Sequence, residues 1–477
     1  MSKSHAKLAI AGAALLAACL SSCGARPDER PDIVLIVMDT ARPDYLSVYG
    51  HPRPTSPFLE QFARQGVVYE RAYSTSCWTL PAHASLFTGE APQVHGADQR
   101  TPSLGPELPT MAERLAEAGW RTGGFSANAW VAKTTGLARG FETFEAHWRR
   151  TEAPDPAASE HRTTKAVKAW LAQDDGRPNF VFVNLIEPHA PYRPRWEHAA
   201  PFFAMEAALE AATQALFPAG RAPNFLTVRH YLGREPLREL EWQWMRALYE
   251  GDLRQTDAIV EELVQAVDAH PNGRPRLVFV LSDHGENLGD HGHLGHVFNL
   301  YDSNLRIALL ARGPGFEANK REARLVGIRD LHPTVLAAAG LDARRADGET
   351  LDLRGPIPEQ RLLSAALDDP RLTIETFPDE VEGDPALARH KRALDAAISS
   401  RWKVIRGSDG SCETFDLLAD PREANPLDCG SLDPTTRQGL DAWIDMQRAR
   451  RKGDAAPAAA PQDPATREAL RGLGYVE

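Results

Sequence analysis

Cysteine is scarce in this chain, with 5 among 477 residues, far below the density of a disulfide-built scaffold. An excess of basic charge is missing too. Lys and Arg total 54 against 65 Asp and Glu, a formal net charge of −11, and without a concentrated basic face a broad nucleic-acid partner is excluded. Beyond Cys23 no apolar run is long enough to cross a bilayer as a helix, and no internal repeat is visible. What is present is the composition of an ordinary globular enzyme, 43% hydrophobic and 25% charged, with 36 Pro and 35 Gly available for turns. The length exceeds that of a usual single domain, so one large α/β domain with a smaller companion is expected.

The first residues read as an address. Lys3 and Lys7 precede the apolar stretch Leu8 to Leu20, too short for a membrane span and suited to a secretory leader. Leu20-Ser21-Ser22-Cys23 resembles a bacterial lipobox, and Leu16-Ala17-Ala18-Cys19 fits almost as well. The expectation is an exported bacterial lipoprotein of the periplasm or outer membrane and cell surface, lipid-anchored through Cys23 or Cys19. A plain signal peptide with incidental cysteines is the alternative. In an oxidising compartment Cys412 and Cys429 can pair, which leaves Cys77 over.

From residue 31 onward, apolar runs alternate with helical stretches. Ile33 to Met38, Phe180 to Leu185, Leu277 to Leu281 and Ile307 to Ala311 are short, aliphatic or β-branched, and lack polar alternation, the signature of strands buried on both faces. Helical patterns such as Glu107 to Ala118 and Glu239 to Val267 lie between them. The fold class is therefore α/β, a mostly parallel central sheet covered by helices on both faces. Near Gln360 the pattern changes to a small α+β unit, where Arg401 to Ile405, the turn Gly407 to Gly410 and Cys412 to Leu417 read as a hairpin. The expected division is a leader at 1–23, a catalytic domain at 31–345, a small α+β subdomain at 346–452, and a flexible link with a terminal helix at 453–477.

Ligands of open α/β sheets bind beyond the carboxyl ends of the strands, and three of the runs end in reactive residues. They are followed by Asp39-Thr40-Ala41-Arg42-Pro43-Asp44, by Glu187-Pro188-His189-Ala190-Pro191-Tyr192, and by Ser282-Asp283-His284-Gly285-Glu286. Alone, Asp39 is as well explained as a helix cap, and His189 as a hydrogen-bonded loop residue. Together they bring two carboxylates and two imidazoles to one sheet edge, an arrangement costly without a cation among them. A fourth stretch, Ser76 to Gly89, sets Thr79 before Pro81 at the start of an apolar helix, where an oxyanion would dock. The plainer reading makes Thr79 only a helix cap.

In this order these motifs resemble the sulfatase branch of the alkaline phosphatase superfamily. The resemblance rests on Asp39-Thr-Ala-Arg42-Pro-Asp44, Pro81 with Ala84 to Gly89, Pro188-His189-Ala-Pro-Tyr192, and Ser282 to Glu286 with His296 and Tyr301. It continues through Asp330 to Thr334, Trp402-Lys403 and Asp416 to Pro421. It implies a metal-dependent hydrolase of sulfate or phosphate esters acting on a small-molecule, glycan or lipid ester. Aligned on Pro81, Thr79 stands where sulfate-ester hydrolases carry the Cys or Ser that becomes formylglycine, and His83 stands where they carry Arg. Formylglycine is therefore not expected.

That difference bears on the chemistry. A sulfated formylglycine hydrate expels sulfate through its second hydroxyl, which a sulfated Thr79 lacks. Phosphoryl transfer needs no such exit, because water attacks a phospho-enzyme in line. The resemblance includes phosphodiesterases, phosphonate monoester hydrolases and phosphoethanolamine-type headgroup transferases with a Thr nucleophile. The transferases usually carry several membrane helices, and a non-catalytic binding protein would show damaged metal ligands.

Chemistry and resemblance together assign one divalent metal ion to Asp39, Asp283 and His284, with Thr79 as a further ligand and nucleophile. Oxygen ligands plus one nitrogen favour Zn or Mn, and Ca stays open through the resemblance. His189 and His296 would bind the oxyanion or protonate the leaving group, and Arg42, Asn128 and His83 are candidate oxyanion donors, each equally readable as a satisfied structural residue. His291 and His293 read as solvated. Trp120, Trp130, Trp242, Trp244 and Leu248 read as core or cleft wall, and Trp196 to Arg229 as a substrate rim.

Overall fold

A computed structural model describes residues 30–148, 160–218, 226, 230–233, 236–296, 298–343, 349–368, 384–388, 390–451, 464 and 468. The leader with Cys19 and Cys23, most of the link and terminal helix, and part of the expected rim lie outside the described residues.

The core is an eight-stranded sheet built from β1 (Asp32–Met38), β2 (Val67–Tyr69), β3 (Arg121–Ser126), β4 (Thr143–Ala146), β5 (Asn179–Leu185), β6 (Arg276–Leu281), β7 (Leu309–Arg312) and β8 (Lys320–Glu322). Its order is β8-β2-β7-β6-β1-β5-β3-β4. β1 runs parallel to both β5 and β6, and β3 runs parallel to β4 and β5. β7 is antiparallel to its neighbours β6 and β2. The expected single run from Ile307 to Ala311 is divided. Arg306–Ile307 pairs with Ala72–Tyr73 in a separate small sheet, and only β7 enters the large one.

Alternation of side chains along β1 explains the unbroken apolar run. Ile33, Leu35 and Val37 pack on one face with Leu80, Ala84 and Phe87 of α1 (Thr79–Thr88). Val34, Ile36 and Met38 pack on the other with Val260, Leu263 and Val264 of the long helix Glu239–Asp268. Each such side chain removed from water contributes ~1.5–3 kcal/mol. The helix expected over Glu107 to Ala118 forms only over Met111–Glu117, because Thr110 closes its start with a reciprocal capping box to Glu113.

β3 escaped the hydrophobic pattern because its centre is Gly123-Gly124. A Cβ there would lie 2.9 Å from the Trp170 ring at Gly123 and 2.9 Å from the Phe144 ring at Gly124. The strand trades side chains for aromatic rings laid directly on its backbone.

The second sheet is antiparallel, ordered β9 (Leu363–Leu367), β10 (Leu394–Ile398), β11 (Trp402–Gly407), β12 (Cys412–Asp416). The expected hairpin is β11–β12. Cys412 and Cys429 form a disulfide with Cα atoms 5.9 Å apart. Lys403, with no solvent exposure, ties this sheet to the large domain, since its Nζ donates to Asp302 Oδ1 at 2.7 Å and pairs with Glu423.

Candidate active site

Register places the site. Val37 lies opposite both Asn184 and Leu281, and Ser126 lies opposite Asn184, so β1, β5, β6 and β3 end at one level. The residues just beyond, Asp39, Asp283, His284 and Asn128, therefore meet at one edge.

Asp39, Asp283 and His284 are fully buried, and one ligand atom from each lies within 4.8 Å of the others. His284 Nε2 is 3.3 Å from Asp283 Oδ2 and 3.9 Å from Asp39 Oδ1. Ligands ~2.1 Å from a tetrahedral cation stand roughly 3.4 Å apart, so this spacing suits one ion. Asp39 Oδ1 and Asp283 Oδ2 have no hydrogen-bond partner. His284 Nδ1 lies 3.0 Å from the Gly285 carbonyl, which fixes the tautomer that leaves Nε2 a lone pair. Burial pushes the Asp283 carboxyl up to about 7 and, with the charge of Asp283 beside it, raises that of Asp39. Burial also pulls His284 down to about 3 and His83 down to about 4, so neither imidazole offers the pair a positive charge near neutral pH. A divalent ion fits the donor set.

Thr79 stands inside this group. Trp78 holds the N-cap position of α1 and Thr79 is the first helical residue, so Thr79 is not the cap. Its Oγ1 accepts from Asn128 Nδ2 at 3.2 Å and lies 3.4 Å from His284 Nε2. Asn128 Nδ2 also donates to Asp39 Oδ2 at 2.8 Å. Asn184, which the sequence reading did not single out, donates to the same oxygen at 3.1 Å; its signal was an amide inside the apolar run Phe180 to Leu185.

His189 and His296 meet edge to face with ring centroids 5.0 Å apart, and the His296 ring lies tilted 4.7 Å from that of His284. His296 Nδ1 is 3.0 Å from Glu286 Oε1. His83 lies within α1, with Nδ1 2.9 Å from the Thr79 carbonyl and 3.5 Å from Asp283 Oδ2.

Arg42 is committed elsewhere. Its guanidinium donates to Asp44 at 3.0 and 2.8 Å, to both carboxylate oxygens of Asp290, and to the Glu286 carbonyl at 2.8 Å. It clamps two loops where an oxyanion donor was expected. Cys77 is buried among apolar residues, and burial pushes its thiol up to about 12, so it is an inert neighbour of the site. Trp120 and Leu248 are buried and Trp130 nearly so, whereas Trp242 and Trp244 are half-buried against the core.

A carboxylate–imidazole cluster at the carboxyl edge of this sheet, beside a buried hydroxyl, defines an ester hydrolase of the alkaline phosphatase superfamily. The profile of the family described as Sulfatase matches residues 31–341, and the chain belongs to that family. It is 25% identical to the "Multifunctional alkaline phosphatase superfamily protein PehA" of Trinickia caryophylli, over 83% of this chain and 91% of that one. It is 22% identical to arylsulfatase K of Canis lupus familiaris, over 82% of this chain and 78% of the other. The crystal structure of phosphonate monoester hydrolase of Agrobacterium radiobacter superposes with a TM-score of 0.67 at 22% identity, covering 89% of this chain and 96% of that one.

Proposed function

We propose that the protein is a metal-dependent ester hydrolase in which Thr79 is the nucleophile, and that phosphate or phosphonate esters are its preferred substrates. The observation that carries this reading is Thr79 Oγ1 held by Asn128 and His284 beside two buried carboxylate oxygens that lack hydrogen-bond partners.

Asp39, Asp283 and His284 would hold the ion, Zn or Mn by donor type; when bound it supplies the charge that lowers the Thr79 hydroxyl pKa and offsets the substrate's negative charge. Asn128 fixes Thr79 Oγ1 for attack. Thr79 gives its hydroxyl proton to solvent, Oγ1 bonds to phosphorus, and the bond to the alcohol oxygen breaks with its electron pair leaving on that oxygen. An imidazole of the His189–His296 pair that enters the step protonated gives the departing oxygen its proton. Water then attacks the phosphorylated Thr79 in line, passing a proton back to the same imidazole and releasing phosphate with the Thr79 alkoxide restored. Sulfate is disfavoured because a sulfated Thr79 has no second hydroxyl to expel it.

Residues from Arg26 onward, expressed without an anchor, provide the test. Bound metal is quantified, and turnover of aryl sulfate, phosphomonoester, phosphodiester and phosphonate monoester is compared with that of Thr79→Ala. The expected result is a phosphoryl or phosphonyl preference lost by about three orders of magnitude or more in the variant. Full activity in Thr79→Ala, or formylglycine at Cys77 by mass spectrometry, overturns the assignment. The leader further supports the proposal that the full chain is an exported, lipid-anchored protein, which acyl-group detection on the membrane-fraction protein tests.

A further inference from the structure

One residue beside the site holds a backbone conformation that its side chain disfavours. Among the described residues four non-glycine positions have positive φ, and only Thr40, at φ 57°, is β-branched. A left-handed backbone crowds the β-carbon against the following carbonyl, and branching makes it rarer still. Thr40 is fully buried and directly follows Asp39 at the end of β1, so the strain sits where the candidate ion ligands gather.

Three hydrogen bonds hold Thr40 there, each to a different part of the fold. Its N–H donates to Asp283 Oδ1 at 3.2 Å, beyond β6. Its Oγ1 donates to the Pro188 carbonyl at 2.8 Å, one residue before His189. Its carbonyl accepts from the Tyr249 hydroxyl at 2.8 Å, and the same hydroxyl accepts from the Arg42 N–H at 2.8 Å. Tyr249 is fully buried on the long helix Glu239–Asp268, in T-shaped contact with Tyr45 and Tyr192 at centroid distances of 5.4 Å each. Packing on both sides fixes where that hydroxyl points.

The torsion φ sets the N–H of a residue against its own carbonyl and side chain. Were Thr40 to relax to negative φ, its three groups could not all keep these partners. Asp283 would feel the change first. Its Oδ1 accepts from the Thr40 and His284 N–H groups, at 3.2 and 3.0 Å, and this leaves Oδ2 without a hydrogen-bond partner, 3.3 Å from His284 Nε2. The carboxylate cannot rotate without giving up both donors.

We propose that Tyr249 and Thr40 form a brace for the ion site: the Tyr249 hydroxyl holds Thr40 in its left-handed turn, and the Thr40 N–H thereby keeps Asp283 Oδ2 directed toward Asp39 and His284. Both act through Asp283, as positioning residues, and together they set how tightly the ion binds. The proposal rests on the reading of Asp39, Asp283 and His284 as ion ligands and is independent of which group attacks the ester.

The test is binding rather than turnover. The purified protein, stripped of metal, is titrated calorimetrically with Zn and with Mn, and the equivalent that Asp283→Asn loses defines the site. Tyr249→Phe weakens that equivalent about tenfold, the effect of removing a group that orients a ligand. Adding Thr40→Gly to Tyr249→Phe brings the affinity back to within about threefold of the wild type, because glycine takes positive φ freely and keeps the N–H that Asp283 needs. Loss of packing at Tyr249 would not be repaired in this way. A second pair of variants decides the matter if Tyr249→Phe does not fold. Thr40→Ala and Thr40→Gly lose the same hydroxyl and differ only in the β-carbon, and the glycine variant binds about threefold more tightly or better. Wild-type affinity in Tyr249→Phe, an affinity that Thr40→Gly does not restore, or an alanine variant that binds at least as tightly as the glycine one overturns the brace and leaves the ion ligands as assigned. A wild type that binds neither ion overturns that assignment and the brace with it.

Discussion

Two pairs of carboxylates lie inside this protein, and they are treated oppositely. Asp302 and Glu423 enclose Lys403 Nζ, an ammonium supplied by the chain. Asp39 and Asp283 enclose two imidazoles that burial keeps neutral, and among the described residues no Lys or Arg pairs with either. The attraction of the carboxylates holds the Lys403 ammonium above its ordinary value although burial opposes it; burial pushes Glu423 up to about 8 even so, as it raises Asp283 and Asp39. Ionised carboxylates this deep are tolerated only when compensated. The first pair therefore reads as a finished joint between the two sheets. The second has no cationic side chain paired with it among the described residues, and its donor set fits a divalent ion.

Breaking the finished joint gives the largest expected change in stability. Lys403→Met strands the buried Glu423 and removes the cation from the part-buried Asp302, and costs about 3–5 kcal/mol, read as a lowered urea midpoint with or without added metal. The Asp39–Asp283 pair responds to metal instead. Zn or Mn at a hundredfold excess over its dissociation constant stabilises the wild type by about 2.7 kcal/mol, and a chelator reverses the shift. Asp283→Asn removes the metal-dependent shift while leaving the metal-free protein at least as stable, because a buried carboxylate raised toward 7 is replaced by a neutral amide; a large loss of metal-free stability refutes the contrast.

Asn128→Ala sharpens the comparison kinetically. It removes the amide donor to Thr79 Oγ1, leaves Asp39 Oδ2 to Asn184 alone and lowers kcat about 10²-fold, with the metal-dependent stabilisation retained.

The smallest effect belongs to the pair His161–Glu187, 2.9 Å apart beside the His189 loop. Burial alone would lower His161, but the charges of Glu187 and Glu262 raise it above 6.5. Burial alone would raise Glu187, but His161 draws it below 4.5. The histidine contribution is complete below about 6.5 and fades as pH rises through the raised value. The glutamate contribution is complete above about 4.5 and fades as pH falls through the depressed one. The pair is strongest between these limits, and His161→Gln flattens a dependence of under about 1 kcal/mol in thermal melts on the alkaline side.

The strands that build the floor of the site were legible because their side chains are buried on both faces. The next residues were legible because parallel strands deliver their carboxyl ends to one edge. Asp39, Asp283 and His284 do meet there, with Thr79 and Asn128 alongside. β3 was not legible, since its glycines carry no hydrophobic signal and their fit to aromatic rings exists only once those rings arrive. Arg42 was left between a donor to substrate and a structural residue because sequence gives its position but not its direction. Packing turns it to Asp44, Asp290 and the Glu286 carbonyl, two of them more than 240 residues away.

The sequence alone determined the sheet, the edge where chemistry gathers and the residue types present there, because periodicity and strand-end polarity are local properties of the chain. Only the tertiary structure decided which buried charge is matched from within, which way Arg42 turns, and that Asn184 shares Asp39 with Asn128. Each of those outcomes depends on groups distant in the chain arriving at hydrogen-bonding distance, a condition that no local pattern encodes.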